Sequence, residues 1–152
     1  MQHSFELAGR RVRLWQNRGE SYEHVLMKAL GFAMYVHEYP NLESERKVGL
    51  RYKPDLIAIS ETGGFDFWGE CGLNSIRKTS WVLRHANTRR MVLFKLGGPV
   101  DQLTAQLRTE IPHKYRIDDR LTLISFYPEV LDLTANHQIA KVASDWYKLT
   151  VV

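Results

Sequence analysis

Asp55 follows Pro54 at the head of one short apolar run, and Glu70 stands with Cys71 and Gly72 at the end of another. Two carboxylates that converge can hold one hard cation, whose charge relieves their repulsion. Mg²⁺ and Mn²⁺ favour such a site, taking a few carboxylates and keeping several waters. The chemistry therefore depends on whether Asp55 and Glu70 face the same way.

The elements that must position them are two strands, 55–60 and 65–71, rich in Ile, Phe and Trp and separated by Glu61-Thr62-Gly63-Gly64. Adjacent glycines supply the positive φ values of a primed hairpin turn. A two-residue turn on Gly63-Gly64 pairs Ser60 with Phe67, Ile57 with Glu70 and Asp55 with Gly72. Side chains alternate with a period of two, so Asp55, Ile57, Glu70 and Gly72 then share one face. Asp55 and Glu70 become diagonal neighbours, roughly 7–8 Å apart. The plainer alternative makes Asp55 a turn residue at a strand entrance and Glu70 one half of an exposed cross-strand pair.

Basic residues cluster beyond the hairpin. From Cys71 to Val100 there is no acid, yet the stretch carries Arg77, Lys78, Arg84, Arg89, Arg90 and Lys95, with His85 among them. Arg10, Arg11, Arg13 and Arg18 repeat the pattern near the N-terminus. Either these are solvated faces of separate elements or they form a surface for phosphate. The formal net charge of +4 is compatible with both.

Other chemistries find less support. Cys71 is the one cysteine, which rules out an intrachain disulfide and a Cys-rich zinc site. It alternates away from Glu70, toward the core. The six histidines form neither an HExxH nor an HxxEH pattern. Gly97-Gly98-Pro99 lacks the Lys-Ser/Thr of a phosphate-binding loop and suits a strand-to-helix turn. The four tryptophans suit packing better than base stacking. No apolar run approaches the roughly 18 residues that span a bilayer, and the start of the chain lacks a signal peptide's basic and apolar regions. A cytoplasmic protein with no membrane partner is expected.

The chain of 152 residues, 44% hydrophobic and 25% charged, suits one globular domain over 1–152. Arg11–Trp15 alternates as a half-exposed strand. Asn17 and Glu20 form a plausible capping box for a helix over 20–38, which Pro40 ends. Residues 41–53 read as loop. After the hairpin, Asn74 caps a helix over 75–86, and Met91–Leu96 is a buried strand. Pro99 opens a helix to about 110, Leu121–Phe126 is a strand, a short helix lies near 128–133, and an edge strand over 146–152 closes the chain. This order predicts an α/β fold with a mixed sheet.

Pro54-Asp55, followed by Glu70-Cys71-Gly72 on the hairpin's second strand, resembles the PD-(D/E)XK nuclease superfamily. The likeness is closer to the YaeQ family, a branch of it. The run from Glu23-His24 through Gly31-Phe32-Ala33 to His37-Glu38 is similar to that family's helix, and Pro54-Asp55-Leu56 to its Pro-Asp-Leu. Trp68, Glu70 and Gly72 match its Trp, acid and Gly, and Ser75-Ile76-Arg77-Lys78-Thr79 resembles its helix start. The likeness spans roughly Arg10 to Leu96.

This resemblance implies a restriction-endonuclease-like fold, a mixed β-sheet flanked by helices with a central β-hairpin. It implies a metal-dependent nuclease in which Asp55 and Glu70 hold Mg²⁺ or Mn²⁺ and Glu23, on the first helix, is a further acid directed toward the site. The superfamily's strand lysine, two residues after the second acid, is Gly72 here. Lys78, in the first turn of the next helix, would take its role of offsetting charge on the phosphate. Arg77, Arg84, His85, Arg89 and Arg90 would hold the backbone of the nucleic acid without reading its sequence. The missing strand lysine supports the alternative, a catalytically inactive scaffold that binds nucleic acid or a protein partner in a regulatory role.

Overall fold

In the computed structural model, which describes residues 1–152, alternation along the strands sorts apolar side chains onto two sides of one sheet. Leu56, Ala58, Phe67 and Cys71 join one core cluster, while Ile57 and Trp68 join another. A sheet buried on both faces needs a layer on each. Helix α1 (Tyr22–Tyr35) and the small sheet of β1 (Gln2–Leu7), β2 (Arg10–Trp15) and β8 (Gln138–Ile139) cover the first face. Helices α2 (Ile76–His85) and α3 (Asp101–Glu110) cover the second.

The main sheet has the order β3-β4-β5-β6-β7-β9, formed by Glu43–Ser44, Leu56–Ile59, Phe65–Cys71, Met91–Leu96, Leu121–Phe126 and Tyr147–Val151. Strands β5, β6 and β7 are parallel, while β3, β4 and β9 join antiparallel at the two edges. Helices α2 and α3 are the crossovers between the parallel strands, and α4 (Val130–Leu133) follows β7. The chain is thus a mixed α/β protein with the expected hairpin inside the sheet. Strand β1 was not expected, although Phe5 and Leu7 are buried on alternate positions.

Two local expectations change. Ser21, not Asn17, caps α1, its hydroxyl accepting the His24 N–H at 3.2 Å, and Asn17 instead bonds Glu20 in the preceding turn. Ser75, not Asn74, caps α2 by accepting the Lys78 N–H.

The hairpin turn is wider than two residues. Ser60 N–H donates to Gly64 O, and the register shifts between Ala58 and Ile59. Ile57 consequently faces Trp68 rather than Glu70. The turn widens because Gly64 belongs to a second contact, where Phe65 N–H donates to Asn87 O ahead of β6. Gly64 has φ +76°, and a Cβ there would lie 2.6 Å from the Asn87 carbonyl oxygen. Gly64→Ala is therefore expected to cost about 1–3 kcal/mol of stability, measured by urea unfolding. An unchanged unfolding midpoint would contradict this packing.

Candidate active site

The corrected register moves Asp55 by two positions, which preserves parity. Extending it by one pair from Leu56–Gly69 sets Asp55 opposite Glu70 instead of diagonal to it. Asp55 lies just before β4, where its N–H donates to Gly69 O and its Oδ2 accepts the Cys71 N–H at 2.8 Å. The other oxygen, Oδ1, meets His24 Nε2 of α1 at 3.3 Å. Glu70 takes its partners from its own strand and from α2. Its Oε1 accepts the Trp68 indole N–H at 2.9 Å, and Oε2 accepts from Lys78 Nζ of α2 at 2.9 Å. Lys78 also lies 5.3 Å from the centre of the Tyr52 ring. Each acid thus holds one helix: Asp55 meets α1, and Glu70 meets α2.

Burial separates the two carboxylates electrostatically. Glu70, with 3% of its surface exposed, is pushed up to about 7, first by burial and then by the charge of Asp55, against the pull of Lys78 and Trp68. Burial also works to raise Asp55, but the His24 hydrogen bond, the Cys71 N–H and the charges of His24 and Lys28 outweigh it and hold it below its ordinary value. The Asp55 hydrogen bond in turn raises His24. The pair therefore keeps its readily exchanged proton on Glu70 and its charge on Asp55.

Glu23 does not join this site. It is exposed, and the helix advances about 100° per residue, so His24 rather than Glu23 faces Asp55. The acid of α1's approach that comes near is Glu20, whose Oε2 lies 3.9 Å from His24 Nε2 and 3.7 Å from Lys28 Nζ. Lys28 is fully buried and pairs with Glu45 of the 41–53 segment at 2.7 Å. Residues 20, 24 and 28 recur every four positions, a polar stripe on an otherwise apolar helix that was readable in the sequence.

Gly72 also differs from expectation. Its φ is +79°, and a Cβ built there would lie 3.3 Å from His24 Nδ1. The open space at Gly72 therefore borders His24 of α1, not Lys78. Cys71 is buried as expected, and burial pushes its thiol well above the ordinary range, which suits no nucleophile.

The expected basic surface divides. Arg77 is exposed in the first turn of α2, beside Lys78. Arg84 and His85 lie at the far end of that helix, with Arg84 over the Tyr115 ring and His85 against Trp81. Arg89 and Arg90 precede β6, about 16 Å along the strand direction from Lys95. They meet Asp66 and Glu38 at 3.8 and 3.2 Å and line a cleft of about 560 Å³ that also holds Asp118 and Asp119. Four acids share that cleft with the two arginines, and Arg77, Arg84 and His85 lie apart from it on α2.

No group of three or more His, Cys, Asp or Glu side chains converges as a ready metal cage. The donor set that exists is two buried carboxylates whose repulsion is visible in the raised Glu70. The chemistry of this donor pair fits a hard divalent ion, which Asp55 and Glu70 would hold.

No family model matches the sequence, and no curated protein matches it. Solved structures do match. The YaeQ protein from Xanthomonas axonopodis pv. citri is similar over 99% of this chain and 93% of its own, with a TM-score of 0.65 and 17% identity. The fold is that of YaeQ proteins. YaeQ protein from Pseudomonas syringae is similar over 86% of this chain and 69% of its own, with a TM-score of 0.60 and 17% identity. No helix is long and apolar enough to cross a membrane.

The Glu70 environment has a measurable consequence. A carboxyl raised from 4.5 to about 7 keeps its proton in the folded state while the unfolded chain releases it. Folding stability therefore falls as pH rises through that interval and levels off above it. Glu70→Gln should remove this loss, so the stability of the variant relative to wild type should increase between pH 4.5 and 7 in urea melts. A constant difference across that window would contradict the assigned environment.

Proposed function

We propose that this protein is a YaeQ family member of the PD-(D/E)XK type, a metal-dependent phosphodiesterase acting on nucleic acid in the cytoplasm. The observation that carries the reading is the juxtaposition of Asp55, Glu70 and Lys78, with the ammonium group 2.9 Å from the second acid. That arrangement supplies an acid pair for a cation and a positive charge for phosphate, although no lysine follows Glu70 on its own strand. The unpaired, buried Cys71 thiol suits a reducing compartment.

Asp55 and Glu70 would hold Mg²⁺ or Mn²⁺. When bound, that ion polarises the phosphate and lowers the pKa of an attacking water. The chain's own residues do the rest. Cys71 N–H and His24 orient the Asp55 carboxylate, and Trp68 orients that of Glu70. Lys78 offsets charge that develops on the phosphate oxygens. Burial and the Asp55 charge raise Glu70 in the metal-free protein, and a cation held by the pair would favour its ionised form.

A second reading has its own observation. All four carboxylate oxygens already face a donor: His24, the Cys71 N–H, Trp68 and Lys78. A scaffold satisfied in this way could bind nucleic acid or a protein partner without cutting it. Incubation of single-stranded and duplex DNA and RNA with Mg²⁺ or Mn²⁺ separates the two. The nuclease reading predicts metal-dependent cleavage that Asp55→Ala and Glu70→Ala each abolish and Lys78→Met lowers about 100-fold. Cleavage that survives both alanine variants, or none from folded wild type on any of these substrates, would contradict it.

A further inference from the structure

The register across β5, β6, β7 and β9 makes a row that no single segment of sequence displays. Cys71 pairs with Phe94, so the next position sets Gly72 beside Lys95. Lys95 pairs with Ser125, and Ser125 with Lys148. Paired residues share a face. Lys95 alternates with Phe94, which belongs to the α1 side, and Ser125 with Ile124 and Phe126, which belong there too. Lys95, Ser125 and Lys148 therefore lie on the side of α2 and α3, the side to which Glu70 points. Lys95 and Ser125 lie near the carboxyl ends of the parallel strands β6 and β7, where open α/β sheets bind ligands, and Lys148 lies beside them near the start of antiparallel β9.

The charges along this row lack partners. Lys95 is half-buried, and its one hydrogen bond is to the Gly72 carbonyl oxygen. No carboxylate lies within 4 Å of its ammonium group, since Glu70 is taken by Trp68 and Lys78. Burial lowers the Lys95 pKa, and the more distant charges of Cys71 and Glu70 offset this only in part. Lys148 is exposed and forms no ion pair either. Between them, Ser125 lines a groove of about 170 Å³ with Gly97, Gly98 and Lys148, where Asp101 is the lone acid. Adjacent strands lie about 4.8 Å apart, so the two lysine backbones stand roughly 10 Å from one another. A partly buried cation calls for an anion, and this row ends at the acid pair.

We propose that Lys95, Ser125 and Lys148 form a phosphate-binding row that carries the nucleic-acid backbone from the Asp55–Glu70 site across the carboxyl ends of β6 and β7 and the start of β9. The row replaces the surface expected along residues 77–90. The choice of a backbone phosphate as the anion rests on the proposed function.

Binding of fluorescein-labelled single-stranded and duplex DNA tests the row by anisotropy, in EDTA and across a salt series. In the Lys95→Met, Lys148→Met double variant, affinity should fall at least tenfold. The slope of log K against log salt should shrink by about one to two, as each lost phosphate contact predicts. Lys95→Arg should retain binding, and Arg89→Ala with Arg90→Ala should change neither quantity. Met can fill the Lys95 position without a buried charge, so thermal melting should show no loss of stability. If Lys95 only braces the Gly72 carbonyl, the double variant will melt earlier and keep its salt slope, which overturns the row. Unchanged binding in a stable double variant overturns the row and leaves the proposed function standing. Absence of salt-dependent binding by wild type overturns both. Metal-free binding retained by Asp55→Ala but lost in the double variant supports the row independently of cleavage.

Discussion

A carboxylate placed on an inner strand of a sheet has to be satisfied from within the protein, because water reaches little of it. Glu70 meets that constraint through two donors on one side of β5. The Trp68 indole lies two residues earlier on the same strand, and the Lys78 ammonium comes from the first turn of α2. The first contact fixes the Trp68 ring within the cluster that α2 and α3 cover. The second fixes where α2 must start, and Ser75 caps the helix at the place that brings Lys78 over the acid. Loss of either donor would leave part of a buried carboxylate unpaired, which is costly in a low-dielectric interior.

Asp55 solves a similar problem with different partners. It sits at the entrance of β4, takes a backbone N–H from β5, and meets His24 on the far side of the sheet. The two acids are neighbours in the sheet, yet they are anchored to helices on opposite faces. This explains their unequal titration. Asp55 has the His24 hydrogen bond and a backbone donor that favour the charged form, whereas Glu70 is more deeply buried and feels the Asp55 charge. Further out, the same α1 stripe that presents His24 buries Lys28 against Glu45, tying the 41–53 segment to the helix. The site is therefore coupled to three elements besides its own hairpin: α1, α2 and the loop before β4.

Much of this was legible in the sequence because it depends on short periods. The alternation around Asp55 and Glu70 survived an error in turn length, since the register moved by two residues and parity was kept. The continuous apolar runs of β6 and β7 read correctly as buried strands for the same reason. Glu23 was misplaced because a one-residue choice on a helix is a rotation of about 100°, which composition does not resolve. The stripe of Glu20, His24 and Lys28 carried the better signal. The turn itself was illegible, because its width is set by Asn87, twenty-three positions beyond Gly64. The same holds for the row of Lys95, Ser125 and Lys148, whose members meet only through strand order. Residues 77–90 divide between the start of α2, its far end and the approach to β6, a spread that their nearness in sequence conceals.

The central claim is that Asp55 and Glu70 act as one site for a divalent cation, and calorimetric titration of Mn²⁺ and Mg²⁺ tests it most directly. The titration should be run on wild type and on Asp55→Ala, each with and without a short DNA oligonucleotide. Saturable binding by wild type that disappears in Asp55→Ala is the predicted result. Binding of equal strength in both proteins, or none by wild type up to tens of millimolar even with DNA present, would contradict the claim.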